Sequence, residues 1–151
     1  MSCARLLWVL AVASLWICCH AAQPASFRQQ GFVATLPNPS FGRPQAVAVD
    51  SYGTVYIADS LGNRIWQMQS SQTQPVLLAG SGIAGLRDGN PTLARFSNPK
   101  GIDVVVSSAR SIVVYVADTD NHAIRVISIN TTLPGQRAAN VSTLCGGLAT
   151  G

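Results

Sequence analysis

Val55-Tyr-Ile-Ala-Asp-Ser-Leu-Gly-Asn-Arg64 returns later in the chain as Val114-Tyr-Val-Ala-Asp-Thr-Asp-Asn-His-Ala123. Both copies continue into an isoleucine, Ile65 in the first and Ile124 in the second. Each copy begins with β-branched and aromatic residues and ends in a polar segment, which predicts a strand, a tight turn and the start of a second strand. A strand-and-turn unit repeated at this long spacing indicates an all-β array of stacked sheets.

The segments around the two copies predict four short antiparallel strands in each repeat. In the first repeat the expected strands are Ala46–Asp50, Val55–Asp59, Ile65–Gln69 and Val76–Ala79. In the second they are Ile102–Val106, Val113–Asp118, Ile124–Ile129 and Val141–Cys145. The extra residues of the second repeat, Ser107–Ser111 and Asn130–Asn140, are expected in loops. Four such strands are typical of one blade of a β-propeller, so the sequence predicts two blades of an incomplete propeller.

Helical patterns are almost absent from the sequence. Pro91–Phe96 can form a single turn, for which Asp88 and Asn90 are both candidate caps. This segment lies in the long Gly-rich connection Gly80–Asn98, which joins the two repeats.

The spaced residues of both repeats resemble the NHL repeat. The first set is Pro44-Gln-Ala-Val-Ala-Val-Asp50, Val55–Asp59 and Asn63-Arg64-Ile65, and the second is Pro99-Lys-Gly-Ile102, Tyr115–Asp118 and Asn121–Arg125. The resemblance places repeat one at about 44–80 and repeat two at about 99–145, inside an NHL-repeat region of 41–151. Gly62 and Ala123 depart from the family, which usually has Asn and Arg there. The resemblance implies an NHL-type propeller, present here as the N-terminal part of a longer protein.

Eight positions of the two repeats are expected to serve the fold: Tyr56, Asp59, Asn63, Ile65, Tyr115, Asp118, Asn121 and Ile124. Each aspartate ends a strand and can accept N–H bonds in the following turn. Gly62 and Asn121 tolerate the left-handed backbone that such a turn needs. The tyrosine rings are expected to be buried between sheets with a partner for each hydroxyl. The two isoleucines are expected to fill the core between blades.

Met1–Ala22 has the layout of a secretory signal peptide, with an early charge at Arg5 and an apolar run over Leu6–Ile17. The alternative, a membrane anchor, is disfavoured because a span needs roughly 20 apolar residues. The chain is therefore predicted to be secreted or to enter the endomembrane lumen, without a membrane span once residues 1–22 are removed. Residues 23–40 form a loose N-terminal segment. Cys145 is then either a buried thiol or the partner of a cysteine outside this sequence.

The residue types give little support to catalysis. After cleavage His122 is the only histidine, and the chain has no Glu, so a three-histidine metal site or a Glu-based carboxylate pair cannot be built. The sequence contains neither a Gly-x-Ser-x-Gly elbow nor a phosphate loop. No catalytic residue, metal or cofactor is therefore assigned. The formal net charge is +4 with the basic residues scattered singly, so nucleic-acid binding is not expected.

The resemblance implies a non-catalytic binding platform for an unknown protein or glycan. The Gly-rich segment Gly80–Asn90 is expected to carry the contacts, with Arg87, Asp88 and His122 as the candidate binding residues. The alternative is a partial propeller of a metal-dependent lyase or hydrolase similar to peptidyl-hydroxyglycine amidating lyase. Enzymatic activity is thus left undecided, with a non-enzymatic role favoured. The open edges of the blades also predict self-association.

Two N-glycosylation sequons occur in the second repeat, Asn130-Thr-Thr132 and Asn140-Val-Ser142. They flank the loop that is predicted between the last two strands. In a secreted protein both asparagines are expected to be exposed acceptors of a glycan.

Overall fold

The computed structural model describes residues 41–133 and 136–147, which belong to one compact unit, Leu36–Gly151. The predicted signal peptide, residues 1–22, and the predicted N-terminal segment, residues 23–40, lie outside the described residues. Within the described part, the chain forms two antiparallel sheets of four strands each.

The first sheet follows the order of the chain, with each strand beside the next. Its strands are β1 (Pro44–Val49), β2 (Val55–Asp59), β3 (Arg64–Met68) and β4 (Val76–Ala79). Short turns join them, and Asp50 stabilises the first turn by accepting the backbone N–H groups of Tyr52 and Thr54, both at 2.9 Å. Such an aspartate-centred turn reverses the chain within a few residues and sets the register of the hairpin.

The second sheet has the same strand order and longer strands. They are β5 (Pro99–Ser108), β6 (Ser111–Asp118), β7 (Ala123–Leu133) and β8 (Gln136–Gly146). Irregular register occurs at equivalent places in the two sheets, after Pro44 and Pro99 in the first strand and after Ile65 and Ile124 in the third. The predicted all-β fold of two four-stranded antiparallel sheets is confirmed. The sheets are consistent with partial blades, and a closed propeller is not seen in the described residues.

The two segments that were expected to be loops belong largely to strands. In the first of them β5 ends at Ser108 and β6 begins at Ser111, these two residues pair, and Ala109 and Arg110 form the turn between them. β7 and β8 continue through the second, where Leu133 pairs with Gln136, so the loop predicted over Asn130–Asn140 is wrong. Cross-strand pairing satisfies the backbone groups of these residues and extends the hairpins.

Among the residues that the structure describes, helical content is confined to short turns. The predicted turn after Pro91 is present, and Asn90 rather than Asp88 caps it: Asn90 Oδ1 accepts the Thr92 backbone N–H at 3.0 Å. A second turn, the 3-10 turn Thr119–Asn121, follows β6 and was not predicted. No helix in the described part of the chain is long and apolar enough to cross a membrane.

Each sheet has two faces, because alternate residues of a strand point to opposite sides. The front face of the first sheet bears Tyr56, Ala58 and Ile65, and the front face of the second sheet bears the equivalent Tyr115, Ala117 and Ile124. The back face of the first sheet bears Ile57, Trp66 and Met68, and that of the second bears Val116, Arg125 and Ile127. These names are kept below.

The core lies between the front face of the first sheet and the back face of the second. Tyr56, Ala58 and Ile65 from the first sheet belong to the same buried cluster as Val114, Val116 and Ile127 from the second. Ala94 and Phe96 of the connection Gly80–Asn98 are also fully buried in this cluster. The sheets are therefore stacked in the same sense, front to back, as successive members of an array are.

Candidate binding site

Asp59 and Asp118 hold the chain segment that enters each sheet. Asp59 accepts the backbone N–H groups of Gly42 at 2.9 Å and Arg43 at 2.6 Å. Asp118 Oδ1 accepts the backbone N–H of Ser97 at 2.7 Å. Both carboxylates are completely buried. Each aspartate therefore connects the end of a second strand to the residues just before the first strand of its sheet.

The pKa of Asp59 is lowered from its ordinary value of 3.8. Burial acts to raise the pKa, but the backbone N–H groups of Arg43, Gly42 and Gly62 outweigh it by stabilising the charged form. The Trp66 indole N–H also faces this carboxylate and lowers its pKa, although Nε1 makes no hydrogen bond within the usual geometric limits. Asp59 is thus kept ionised inside the fold.

The left-handed residues of the two turns are Asn63, with φ of 51°, and His122, with φ of 50°. The sequence placed this conformation one residue earlier, at Gly62 and Asn121, and that prediction is wrong. Gly62 has a different reason to be small, because a Cβ there would collide with the Asp59 carboxylate. Asn121 uses its side chain instead and donates from Nδ2 to Asp118 Oδ2 at 2.8 Å.

Arg125 is a fully buried arginine that the sequence reasoning did not single out. Its Nη1 donates to Asp118 Oδ2 and to the Arg95 carbonyl, at 2.8 and 2.9 Å. Its Nη2 donates to Asp88 Oδ1 and to the Arg87 carbonyl, at 2.6 and 2.8 Å. The guanidinium carbon lies 5.0 Å from the centroid of the Phe96 ring, a cation–π distance.

Arg125 could have been identified in the sequence from its position in the repeat. It is equivalent to Trp66 in the first sheet, since each follows the isoleucine that pairs with the second strand. Trp66 packs edge-on against Phe41, with the ring centroids 5.6 Å apart. Phe41 is equivalent in turn to Phe96, so an aromatic pair in one sheet corresponds to an arginine–aromatic pair in the other.

The predicted binding residues do not form one site. Asp88 lies against the back face of the second sheet, where it forms an ion pair with Arg125 and accepts the Thr143 backbone N–H at 3.0 Å. The backbone of Arg87 pairs with that of Arg95 inside the connection. His122 is exposed and lies on the other side, beside the front face. The acidic residue of the segment Gly80–Asn90 therefore makes its contacts within the chain.

The predicted structural residues differ in burial between the two sheets. Tyr56 is fully buried and its hydroxyl lies 3.1 Å from Asp50 Oδ2, whereas Tyr115 is partly exposed. Ile65 is 0% exposed, but Ile124 is 37% exposed. The expectation that Ile124 fills a core is therefore wrong, because no described element covers the front face of the second sheet.

A recess of about 250 Å³ lies at one end of this front face. Its wall includes Ala117, Thr119, His122, Ile124, Cys145 and Gly146. Cys145 is exposed here, contrary to the expectation of a buried thiol. The chemistry of the recess is mainly apolar, with one imidazole and one thiol at its edge.

The equivalent place on the first sheet is closed by the chain itself. Ser81 donates its backbone N–H to the Ala94 carbonyl at 2.8 Å, and Asn98 donates its own to Asn63 Oδ1 at 2.9 Å. These bonds hold Ala94 and Phe96 against the end of the first sheet. An extended segment with an aromatic side chain is therefore what fits beside the left-handed turn of such a sheet.

A second recess of about 340 Å³ lies at the opposite end of the sheets. Tyr52, Gln69, Ser70, Ile112 and Thr131 are among its lining residues. Its walls come from hairpin turns of both sheets, and its groups are hydroxyls and an amide rather than charges. It lies apart from Arg87, Asp88 and His122, none of which lines it.

Asn130 and Asn140 are exposed residues within β7 and β8 rather than in a loop. Asn130 pairs with Ala138, and Asn140 pairs with Ser128. No three His, Cys, Asp or Glu side chains of the described residues come close enough together to hold a metal ion.

No family model matches the chain. Protein SUPPRESSOR OF QUENCHING 1, chloroplastic, from Arabidopsis thaliana is 33% identical to it over 87 residues, which are 58% of this chain. The chain spans only 8% of that relative's length. The assignment to the NHL-repeat family is wrong, because no family model matches and the similarity found leads to this chloroplastic protein instead.

The same relative also corrects the predicted location. Secretion, or delivery to the endomembrane lumen, is wrong as a prediction, since the relative is a chloroplastic protein. Glycosylation of Asn130 and Asn140 was expected only in a secreted protein and loses that basis.

Proposed function

We propose that the chain is a non-catalytic protein-binding module that binds its partner on the front face of the second sheet. One observation carries this proposal: Ile65 is 0% exposed under the stacked second sheet, whereas the equivalent Ile124 is 37% exposed. The same kind of surface is thus packed in one sheet and open in the other. An open apolar sheet face beside a recess is a surface that a partner protein can cover.

The way in which the front face of the first sheet is covered indicates what kind of partner the second sheet binds. Where the front face is covered, at the first sheet, the connection contributes an extended segment with the buried Phe96. A partner of the second sheet is therefore an apolar protein segment with an aromatic side chain that enters the recess beside Ile124. The imidazole of His122 lies at the rim, where it can donate to a backbone carbonyl.

The direct test uses a synthetic peptide with the sequence of Gly89–Lys100, labelled at its N-terminus, as the probe. We expect saturable binding to the full chain by fluorescence anisotropy. Replacing Phe96 by Ala in the peptide should weaken binding about tenfold or more, because a buried aromatic side chain contributes about 1.5–3 kcal/mol and about 1.4 kcal/mol is tenfold.

The control variants of the protein are Ile124→Asp in the recess and Val76→Asp on the first sheet, which is similarly exposed at 41%. Only the first should abolish peptide binding. Equal binding by both variants, or no saturable binding by the unchanged chain, would contradict the proposed function.

We also propose that the chain acts in the plastid. The support is the chloroplastic relative, which shares 33% identity over 87 residues. The full chain with a fluorescent protein at its C-terminus should give a signal that coincides with chlorophyll in leaf cells. A signal in the endoplasmic reticulum or the medium would contradict this location.

A further inference from the structure

Two arginines of the connection Gly80–Asn98 lie directly opposite each other, although their charges repel. Arg87 and Arg95 form an isolated antiparallel bridge, in which each backbone N–H donates to the carbonyl of the other residue, at 3.4 and 3.1 Å. Residues paired in this way project their side chains to the same side, and like charges directly opposite each other are destabilising. An anion that binds both charges would therefore stabilise the pair.

The two guanidinium groups lie on the solvent side of this bridge. Asp88 and Phe96 directly follow the two arginines in the chain, so they project to the opposite side, where both of them contact Arg125. Arg87 is exposed and Arg95 is partly exposed. The side of the bridge that bears the two arginines is thus the side that a solute can reach.

Neither of these guanidinium groups has an anionic partner among the residues that the structure describes. The two ion pairs in that part of the chain both belong to Arg125, and one of them holds Asp88. Both oxygens of Asp88 are already in use, because Arg125 Nη2 and Thr143 Oγ1 donate to Oδ1 and the Thr143 N–H donates to Oδ2. The charges of Arg87 and Arg95 are therefore not neutralised by a described residue.

The buried Arg125 fixes the backbone beneath the arginine pair. Its Nη1 donates to the Arg95 carbonyl at 2.9 Å, and its Nη2 donates to the Arg87 carbonyl at 2.8 Å. These are the same two carbonyls that the bridge uses. Because Arg125 is 0% exposed and paired with Asp118, the core holds the two exposed arginines side by side. Binding of one ligand by both then requires less ordering of the protein.

A third arginine lies along the start of the same connection. Arg64 Nη2 donates to the Ser81 carbonyl at 3.5 Å, and a Cβ on Gly82 would lie 2.7 Å from Arg64 Cζ. Asp120 is an exposed acid beside the other end of the connection, but its Oδ1 accepts from Asn98 Nδ2 at 3.1 Å, and it forms no ion pair with a described arginine. The exposed charge along the start of the connection is therefore positive.

We propose that Arg87 and Arg95 bind a phosphate group. Each guanidinium presents paired N–H donors, and one tetrahedral dianion can accept from both groups, neutralise both charges and remove their repulsion. A carboxylate would neutralise only one of the two charges, and an apolar ligand would neutralise neither. The inference is independent of the proposed function, because neither arginine lines the recess beside Ile124.

The test is a titration of the full chain with inorganic phosphate, followed by the backbone amide signals of Arg87 and Arg95 in heteronuclear NMR spectra. Sodium chloride is adjusted to hold the ionic strength constant. We expect saturable shifts with a Kd on the order of 1 mM or lower. Arg87→Gln and Arg95→Gln should each weaken binding about tenfold or more, because each removes charge-assisted hydrogen bonds. Arg87→Lys keeps the charge but loses the planar fork, so its affinity should be intermediate.

The thermal midpoints of the two Gln variants show whether a loss of binding is a loss of folding. Each variant removes one of two opposed like charges, so its midpoint in phosphate-free buffer should be unchanged or higher. Arg110→Gln is the matched control, because Arg110 is exposed at the turn between β5 and β6 and the same charge is lost. Its affinity for phosphate should stay within about twofold of the unchanged chain, since distant exposed charges are screened.

Three results would overturn the phosphate site. They are the absence of saturable shifts at phosphate concentrations far above the expected Kd, unchanged affinity in both Gln variants, and equal weakening by Arg110→Gln, which would show a response to net charge alone. Phenyl phosphate as a second probe distinguishes the source of the group. Tighter binding of phenyl phosphate supports a phosphate ester as the ligand, and tighter binding of inorganic phosphate supports the free ion.

Discussion

Arg125 and Asp118 form an ion pair whose two side chains are both completely buried, with Nη1 2.8 Å from Oδ2. Arg125 also reaches Asp88, whose side chain is 49% exposed. A single guanidinium on the back face of the second sheet therefore connects that sheet to the strand end and to the connection between the sheets.

We expect Arg125→Ala to lower the free energy of unfolding by about 3–5 kcal/mol, because it leaves the buried Asp118 carboxylate without its partner. Urea unfolding followed by circular dichroism measures this loss. Arg110→Ala, at an exposed turn residue, is the matched control and should stay within about 0.5 kcal/mol. A loss below about 1 kcal/mol for Arg125→Ala would show that the ion pair contributes little.

The lowered pKa of Asp59 predicts how stability depends on pH. Its stabilising contribution is present above the ordinary pKa of 3.8 and is lost as the pH falls through the lower pKa of the folded state. Asp59→Asn should therefore reduce stability near neutral pH by about 1.5–3 kcal/mol, since it removes hydrogen bonds to a charged acceptor. The difference between the two proteins should shrink in acid.

Urea unfolding at pH values from about 6 to about 2 measures this difference. Leu61→Asn is a suitable control, because Leu61 is 62% exposed in the same turn and the change adds no titrating group. A gap between Asp59→Asn and the unchanged chain that stays constant, or grows, as the pH falls would be incompatible with the lowered pKa.

Gly80 combines a positive φ of 103° with a close backbone approach. A Cβ there would lie 2.5 Å from the Asn63 carbonyl oxygen and 2.9 Å from Arg64 Cα. Gly89 has a similar φ of 100°, but a Cβ would meet nothing within 4 Å. Alanine substitutions at the two glycines therefore distinguish the free-energy cost of a left-handed backbone from the cost of a steric clash.

Gly89→Ala should cost about 1–2 kcal/mol, the penalty of a left-handed L-residue. Gly80→Ala should lower the free energy of unfolding by about 1–3 kcal/mol more than Gly89→Ala does, because the turn at Asn63 must move. Thermal unfolding of both variants gives the comparison. Equal costs for the two would mean that the backbone at Gly80 moves aside without a penalty.

The burial of the two equivalent isoleucines predicts unequal costs of truncation. Ile65→Ala should destabilise the chain by about 2–5 kcal/mol because it leaves a cavity in the core between the sheets. Ile124→Ala should cost less than about 1 kcal/mol in the single chain, because Ile124 is already 37% exposed. The measurement is made at a protein concentration below that of any association. Similar costs for the two would contradict the open front face.

Much of the fold could be predicted from local patterns. The runs that begin at Val55 and Val114 consist of β-branched and aromatic residues and end in polar turns, so they predict strands and turns from local sequence alone. The bounds predicted for β2 and β4 are those of the structure. The extended hairpin of β7 and β8 did not follow, because the polar residues of Asn130–Asn140 favour a loop and the cross-strand pairing that extends the hairpin has no signature in the local sequence.

The candidate site could be predicted only in part. His122 was named from the repeat, and it does line the recess of the front face. Arg125 was missed, and Asp88 was assigned to a ligand, because an ion pair across 37 residues leaves no local pattern. Long-range partners of this kind are decided when the connection folds back over the sheet.

The sequence by itself determined that two similar four-stranded antiparallel sheets form, since strand propensity and turn chemistry act over a few neighbouring residues. The tertiary structure alone decided which faces of those sheets are buried. Ile65 and Ile124 occupy equivalent places and have the same chemistry, yet one is enclosed and the other is open. Burial depends on what stacks against a face, and that contact joins residues far apart in the chain.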